Sequence, residues 1–181
     1  RYVVFPGLVS REALEETIER QWSSSGQGLV TLSVRTGFDL VLRSLDLPKG
    51  SEVLFVPGIT IPWMVDIVEG NGLVAIAADL SSTHSFLPQD IQDLFKANPR
   101  VVVITHLFGS ILHADEIIME AQKRGIFVVD DCAQAFVGSV FRSGRAVAAQ
   151  GNLVWESAGF RGHAEADAAF VSFGTIKTLT A

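Results

Sequence analysis

The sequence predicts a three-layer α/β domain in which a mostly parallel sheet is covered by helices on both faces. Short runs rich in Val, Ile and Phe alternate with segments of helical spacing. The runs are continuously apolar, which is typical of parallel strands that are buried on both faces. The chain has 181 residues and is 48% hydrophobic, which is enough for one domain with a substantial core.

Two helices are expected before the first strand. Residues 11–22 carry apolar side chains four residues apart, and Ser10 before them is a suitable N-cap. A Gly/Ser-rich loop follows at 23–28, and helical spacing resumes over 36–47 until Pro48 interrupts it. We expect residues 1–28 to form an N-terminal helix and loop, and residues 29–181 to form part of a larger cofactor-binding domain.

Strands and helices then alternate along the chain. The predicted strands are 53–56, 73–77, 101–104, 126–129 and 168–173, and the predicted helices between them are 63–69, 89–96 and 114–124. Residues 139–163 are rich in Gly, Ala, Ser and Arg and lack a clear period, so we expect an irregular insertion there. A lid or an artefact of the reading frame would give the same pattern.

Composition excludes several classes of partner. The net charge is −6 without a basic cluster, which argues against a nucleic-acid partner. No apolar run reaches the roughly 18 residues of a membrane span. The single cysteine, Cys132, cannot form an internal disulfide, which favours a reducing, cytoplasmic compartment. Because the chain starts without Met and stops four residues after Lys177, we expect a fragment of a longer protein.

Four polar residues lie at the ends of predicted strands or shortly after them, where α/β proteins bind ligands. Asp131 and Lys177 lie beyond two such strands, Ser172 is a polar residue at the end of the second, and Gln134 follows Asp131 by three residues. A desolvated lysine is a nucleophile toward an aldehyde, and a buried aspartate suits a protonated ring nitrogen. The alternatives are a surface lysine and a loop aspartate. Asp131 could also belong to an acidic Mg²⁺ site of the kind found in receiver domains, with Asp79 as the second carboxylate. The order along the chain argues against this, because the acidic pair of receiver domains lies near the start.

Further candidates precede two of the helices. Arg35 and Thr36 stand in the turn 33–37, where helix N–H groups can bind phosphate. Trp63 could stack on a ring, although an aromatic residue at a helix start also suits core packing. His106 has no visible partner and is interpreted as structural. His84, His113 and His163 show no metal-ligand spacing with Cys132 or with one another, so no metal is predicted.

These segments resemble the DegT/DnrJ/StrS-type family of pyridoxal-phosphate-dependent sugar aminotransferases, which has the aspartate aminotransferase fold (fold type I). The resemblance covers roughly residues 25–181. The matching stretches are Ser33–Leu47, Gly50–Val53, Val56–Thr60, Thr105–Gly109, Val129–Ala135 and Ser172–Lys177, of which the last two are the most specific.

The resemblance implies a role for each matching residue. Lys177 would form the internal aldimine with pyridoxal 5′-phosphate and shuttle the substrate proton. Asp131 would hold the pyridine nitrogen protonated, and Gln134 would contact the ring near its phenolic oxygen. Ser172 would bind the phosphate together with the turn that contains Arg35 and Thr36. The implied reaction moves an amino group from glutamate or glutamine to a keto-sugar or related carbonyl compound, in a homodimer.

The sequence also departs from the family pattern. Ser33-Val34-Arg35-Thr36-Gly37 replaces the usual Ser-Gly-Thr-Ala-Ala phosphate turn. The stacking aromatic of the family falls at Ile61, so that Trp63 is only the nearest candidate. The small C-terminal domain of the family is absent. A degenerate or truncated non-catalytic homologue therefore stays open. So does a dehydratase or other lyase of the same fold, although the family's sugar dehydratases have histidine in place of Lys177.

Overall fold

The computed structural model describes residues 10–22, 27–58, 61–78, 88–135, 145–149, 152–156 and 162–172. The chain divides into two compact units, residues 1–32 and 33–181. The first unit contains helix α1 (Arg11–Trp22), which begins where Ser10 Oγ accepts a hydrogen bond from the Ala13 N–H at 3.2 Å. The predicted first helix and its N-cap are therefore confirmed. Within the described part of the chain, no helix has the length and apolar character needed to cross a membrane.

The second unit contains four helices and seven strands among its described residues. The helices are α2 (Val34–Ser44), α3 (Pro62–Gly70), α4 (Pro88–Leu94) and α5 (Asp115–Lys123). The strands are β1 (Glu52–Val56), β2 (Val74–Ala77), β3 (Val101–Thr105), β4 (Phe127–Asp131), β5 (Arg145–Ala149), β6 (Asn152–Glu156) and β7 (Ala168–Phe170).

Five of the strands form one parallel sheet in the order β2-β1-β3-β4-β7. The register aligns Thr105 of β3 with Asp131 of β4, and Asp131 with Phe170 of β7. All five strands run in one direction, so their carboxyl ends meet at one edge. The predicted α/β class and parallel sheet are confirmed.

Each face of the sheet carries its own core, because side chains alternate along a strand. On one face, Phe38 of α2 and Met64 of α3 pack on alternate strand residues such as Val103 and Val129. On the other face, helices α4 and α5 pack on Ile104 and Val128, with Phe95 at the end of α4. Alternation within β4 therefore places Asp131 on the α2/α3 face and Asp130 on the α4/α5 face.

Two predictions about the last third of the chain require correction. The stretch 139–163 is not irregular throughout, because β5 and β6 pair as an antiparallel hairpin within it. The composition of this stretch did not predict the hairpin, because small residues give little hydrophobic periodicity. The strand predicted over 168–173 ends at Phe170, and both Val171 and Ser172 lie beyond it. Residues from 173 onward, including Lys177, lie outside the described residues, as does Asp79.

Candidate active site at the carboxyl edge of the sheet

Asp131 ends β4 and is only 4% exposed. Its Oδ1 accepts a hydrogen bond from the Ala133 N–H at 3.0 Å, which closes a tight turn directly after the strand. The strand end is also tied to both neighbours, because the Asp131 carbonyl accepts from the His106 N–H and the Cys132 N–H donates to Phe170 O. A buried carboxylate is thus held at the edge where the sequence placed it.

Gln134 lies in the next turn, which the hydrogen bond from the Ala135 N–H to the Cys132 carbonyl closes. Its Oε1 accepts a hydrogen bond from the Phe108 N–H at 3.2 Å, in the loop that follows β3. This bond fixes which end of the amide faces the loop, so the Nε2 group remains available as a donor on the other side. Phe108 has a φ of +54° and is 92% exposed, an unusual combination for a large aromatic residue. No pattern in the sequence indicated that Phe108 and Gln134 are joined by a hydrogen bond.

Ser172 follows β7 by two residues and is half-buried. Because Phe170 pairs with Asp131, Ser172 and Asp131 emerge at the same edge of the sheet. Sequence reasoning placed Ser172 inside the strand, whereas the structure places it in the segment that leaves it.

The turn before α2 retains the features of a helix N-terminus despite its unusual sequence. Ser33 is the N-cap, and its Oγ accepts from the Thr36 N–H at 3.2 Å. The guanidinium of Arg35 lies 5.8 Å from the centre of the Trp63 ring. Trp63 is 62% exposed at the start of α3. Three sequence candidates, Arg35, Thr36 and Trp63, are therefore found on the two helix starts of the α2/α3 face.

A groove of about 410 Å³ borders Arg35 and Thr36 but is not a cofactor pocket. It extends to Gly70 and Asn71, which lie at the opposite end of α3. Because α3 returns to the start of β2, that end lies toward the amino edge of the sheet. The groove runs along the two helices, away from Asp131.

Behind Asp131, on the opposite face of the sheet, lies a buried polar cluster formed by Asp130, His106 and His163. Asp130 and His106 are both 0% exposed. His106 Nε2 lies 2.6 Å from Asp130 Oδ1, and His163 Nδ1 lies 2.9 Å from Asp130 Oδ2. The His163 backbone N–H also donates to Oδ2, at 2.6 Å. The interpretation of His106 as a structural residue without a visible partner was wrong about the partner, which lies 24 residues along the chain.

The hydrogen bonds indicate the tautomer of His106 and the charge of Asp130. His106 Nδ1 accepts from the Leu112 N–H at 3.0 Å, so that the hydrogen of a neutral His106 ring is on Nε2 and points at Asp130. Burial alone would raise the pKa of Asp130, but hydrogen bonds from His106 and from the His163 backbone outweigh it and leave the pKa below its usual range. Asp130 is therefore an ionised carboxylate that accepts three hydrogen bonds.

Cys132 is buried next to this cluster. Burial, and then the charges of Asp130 and Asp131, raise the pKa of its thiol. The ligand-type atoms of His106, Asp130 and Cys132 lie within 4.8 Å of one another, which their spacing in the sequence did not indicate. The 2.6 Å contact between His106 and Asp130 is a charge-assisted hydrogen bond. Two ligands of one tetrahedral zinc ion would be about 3.3 Å apart, since each lies about 2 Å from the metal. The 2.6 Å distance between His106 and Asp130 is shorter than that and fits a direct hydrogen bond.

Comparison with known proteins agrees with this arrangement. A model of the DegT/DnrJ/EryC1/StrS aminotransferase family matches residues 10–181. A dTDP-3-amino-3,6-dideoxy-alpha-D-galactopyranose transaminase from Aneurinibacillus thermoaerophilus is 26% identical over 134 residues, or 72% of this chain and 36% of that protein. A dTDP-4-dehydro-2,6-dideoxy-D-glucose 3-dehydratase from Saccharopolyspora spinosa is 31% identical over 122 residues, which are 63% of this chain and 26% of that protein.

Solved structures share the fold. PseC from Helicobacter pylori, an aminotransferase involved in the biosynthesis of pseudoaminic acid, aligns with a TM-score of 0.67 at 16% identity. The alignment covers 95% of this chain and 42% of that one. At this identity the likeness establishes the fold alone. The chain spans only 36% and 26% of the length of the two curated relatives above.

Proposed function

Because the chain belongs to the DegT/DnrJ/EryC1/StrS aminotransferase family, we propose that it is the cofactor-binding part of a pyridoxal-5′-phosphate-dependent transaminase. The reaction proposed is transfer of an amino group from an amino acid to a keto-sugar or related carbonyl compound. One observation carries the proposal most directly. Asp131 is a buried carboxylate at the carboxyl end of a central strand, on the same sheet face as the N-terminus of α2.

The chemistry of the residues present fits this cofactor. The Asp131 carboxylate is buried at the carboxyl end of β4, and its Oδ1 accepts a hydrogen bond from the Ala133 N–H. In a nearly dry position, its charge favours a protonated pyridine nitrogen over a neutral one. The Gln134 amide, oriented by Phe108, offers Nε2 as a donor for a phenolate oxygen. Asp131 and Gln134 thus match the two ends of a hydroxypyridine ring.

The phosphate and the reactive carbonyl require other groups. The capped N-terminus of α2 provides backbone N–H groups and a helix dipole for an anion, and Arg35 and Thr36 stand there. Ser172 follows β7 at the same edge, and Lys177 is the residue proposed to hold the cofactor covalently and to move the substrate proton. When bound, pyridoxal phosphate supplies an electron sink for the carbanion formed at the substrate carbon.

We further propose the setting in which this part of the protein acts. Glutamate or glutamine is the proposed amino donor, and the A. thermoaerophilus relative supports a nucleotide-linked keto-sugar as acceptor. A cytoplasmic homodimer is proposed. The single cysteine supports the compartment, and exposed apolar side chains such as Phe108 and Trp63 support an assembly. The division into residues 1–28 and 29–181, with an insertion at 139–163, stays a prediction.

A dehydratase is the second candidate function, and the S. spinosa relative favours it. Lys177 argues against it, because the resemblance implies histidine at that position in the sugar dehydratases. A non-catalytic homologue was motivated partly by the altered phosphate turn. The Ser33 cap on α2 weakens that argument, since the turn still presents a helix N-terminus.

The test is covalent capture of the cofactor. The purified protein is mixed with pyridoxal phosphate, its visible absorbance is recorded, borohydride is added, and the modified peptide is identified by mass spectrometry. We expect a single adduct on Lys177. Lys177→Ala should abolish it, and Asp131→Ala should weaken cofactor binding and alter the absorbance band. Lys123→Ala is the matched control, because Lys123 is an exposed lysine on α5.

Two results would contradict the proposal. One is the absence of an absorbance band in the wild type, and the other is labelling spread over exposed lysines and unchanged in Lys177→Ala. In protein loaded with pyridoxal phosphate but not treated with borohydride, adding glutamate and a keto-sugar distinguishes the two candidate reactions. A transaminase moves the nitrogen of glutamate onto the sugar and leaves 2-oxoglutarate, whereas a dehydratase eliminates water and leaves a sugar that carries no nitrogen.

A further inference from the structure

Asp130 joins three separate segments of the chain through buried hydrogen bonds. It lies in β4, His106 follows β3, and His163 precedes β7. Its two oxygens accept three hydrogen bonds, of 2.6, 2.6 and 2.9 Å. Since the carboxylate is completely buried, each bond is made in a low-dielectric environment, where the loss of one is costly.

The close approach of the third segment depends on a glycine. Gly162, directly before His163, has a φ of +108°. A Cβ at this position would lie 2.9 Å from Ala169 Cβ and 3.1 Å from Asp130 Oδ2. Only glycine therefore lets the backbone pass close enough for the His163 N–H to reach the carboxylate.

Asp130 does not face the proposed cofactor site. Adjacent residues of a strand point to opposite faces, so Asp130 lies behind the sheet while Asp131 lies on the α2/α3 face. Any effect of Asp130 on a ligand of Asp131 must pass through the backbone or through the residues that Asp130 holds. It is thus a candidate positioning residue rather than a ligand-contacting one.

The segments held from behind also carry the front of the site. His106 is fixed by Asp130 and in turn accepts from the Leu112 N–H, which closes the loop 106–112. Phe108, within that loop, donates its N–H to Gln134 Oε1. Asp130 is therefore connected to Gln134 by hydrogen bonds at the two ends of this path and by the backbone of the loop between them.

We propose that Asp130 is a positioning residue that, through His106 and His163, fixes the loop 106–112 and the end of β4, and thereby orients Gln134 and Asp131 toward the cofactor. The inference rests on the proposed function for its ligand, but the hydrogen-bonded clamp itself does not. A residue behind the sheet would then tune binding on the front without touching the ligand, as outer hydrogen-bond partners do for metal ligands.

The test compares wild type with Asp130→Asn, which keeps the shape but replaces one acceptor oxygen by a donor group. The first measurement is hydrogen–deuterium exchange in the cofactor-free protein. We expect faster exchange in the peptides that cover 106–112 and 162–163. The His163 amide loses its acceptor, and the Leu112 amide bonds to a His106 ring that Asp130 no longer holds. The second is titration with pyridoxal phosphate. We expect about tenfold weaker binding, the size typical of losing an outer hydrogen-bond partner, and a changed visible absorbance band.

Asp167→Asn is the matched control. The Asp167 carboxylate also accepts a hydrogen bond from a strand, at 2.7 Å from the Val128 N–H, but it lies at the opposite end of β4. Its loss should lower stability without changing the absorbance band or the exchange of 106–112. If Asp130→Asn does not fold, His163→Ala removes the 2.9 Å side-chain bond but keeps the backbone bond to Asp130, and it should show the same changes at smaller size.

The outcomes separate the two proposals. A wild type that takes up no cofactor refutes the proposed function, whereas the exchange of 106–112 still tests the clamp. A wild type that binds cofactor, with a folded Asp130→Asn of equal affinity and spectrum, overturns the positioning role. Equal effects from Asp167→Asn would also overturn it, because Asp130 would then contribute only to the overall stability of the fold.

Discussion

Replacing Phe38 with alanine should test how the core supports the helix that carries Arg35 and Thr36. Phe38 is 0% exposed, and its ring packs edge-on against Phe55 and Phe170, with both centroid distances 6.3 Å. Truncating a buried phenylalanine costs about 3–5 kcal/mol, and we expect about 4–5 kcal/mol because two aromatic pairs are lost as well. In a domain of this size, that corresponds to a fall in Tm of roughly 8–20 °C.

The assay is urea unfolding followed by tryptophan fluorescence, together with thermal unfolding. Leu40→Ala is the matched control on the same helix, because Leu40 is 45% exposed. It should change the unfolding free energy by no more than about 0.5 kcal/mol. The reasoning is refuted if Phe38→Ala costs less than about 1 kcal/mol, or if the two variants are equally stable. Either result would mean that α2 does not rest on this aromatic cluster.

Two further predictions concern the buried polar cluster. Since the folded-state pKa of Asp130 is lowered, its carboxylate contributes stability that is present above the ordinary pKa of about 3.9 and is lost as the pH falls through the folded-state value. Urea unfolding at a series of pH values should therefore show wild type losing more stability than Asp130→Asn on acidification, and parallel curves would contradict this. The second prediction concerns Cys132, whose buried thiol has a raised pKa. It should react with iodoacetamide much more slowly in the native protein than in urea, and equal rates would be the contrary result.

Much of the site could be inferred from the sequence because its residues lie at the ends of strands. Asp131 was placed at the sheet edge by the apolar run before it, and Gln134 by its spacing from Asp131. Spacing could not reveal that the Asp131 carboxylate accepts from the Ala133 N–H, directly before Gln134, or that Phe108 orients the Gln134 amide. Those contacts depend on the pairing of β3 with β4, which no local pattern encodes.

Asp130 shows the limit of sequence reasoning most clearly. It was only the neighbour of a candidate residue, and His106 was interpreted as structural, with no partner in view. The fold makes Asp130 the centre of a buried cluster by bringing in His106 and His163, which are 24 and 33 residues away along the chain.

The sequence alone determined the class of the fold, the order of its alternating elements and the family resemblance carried by Val129–Ala135 and Ser172–Lys177. These are local properties, set by strand and helix periodicity and by short motifs. The tertiary structure decided which face each carboxylate occupies and which loops are tied to it. The physical reason is that neighbouring residues of a strand point their side chains to opposite faces of the sheet. Asp131 can therefore face a ligand only while its neighbour Asp130 is buried behind the sheet, where it requires partners from distant segments.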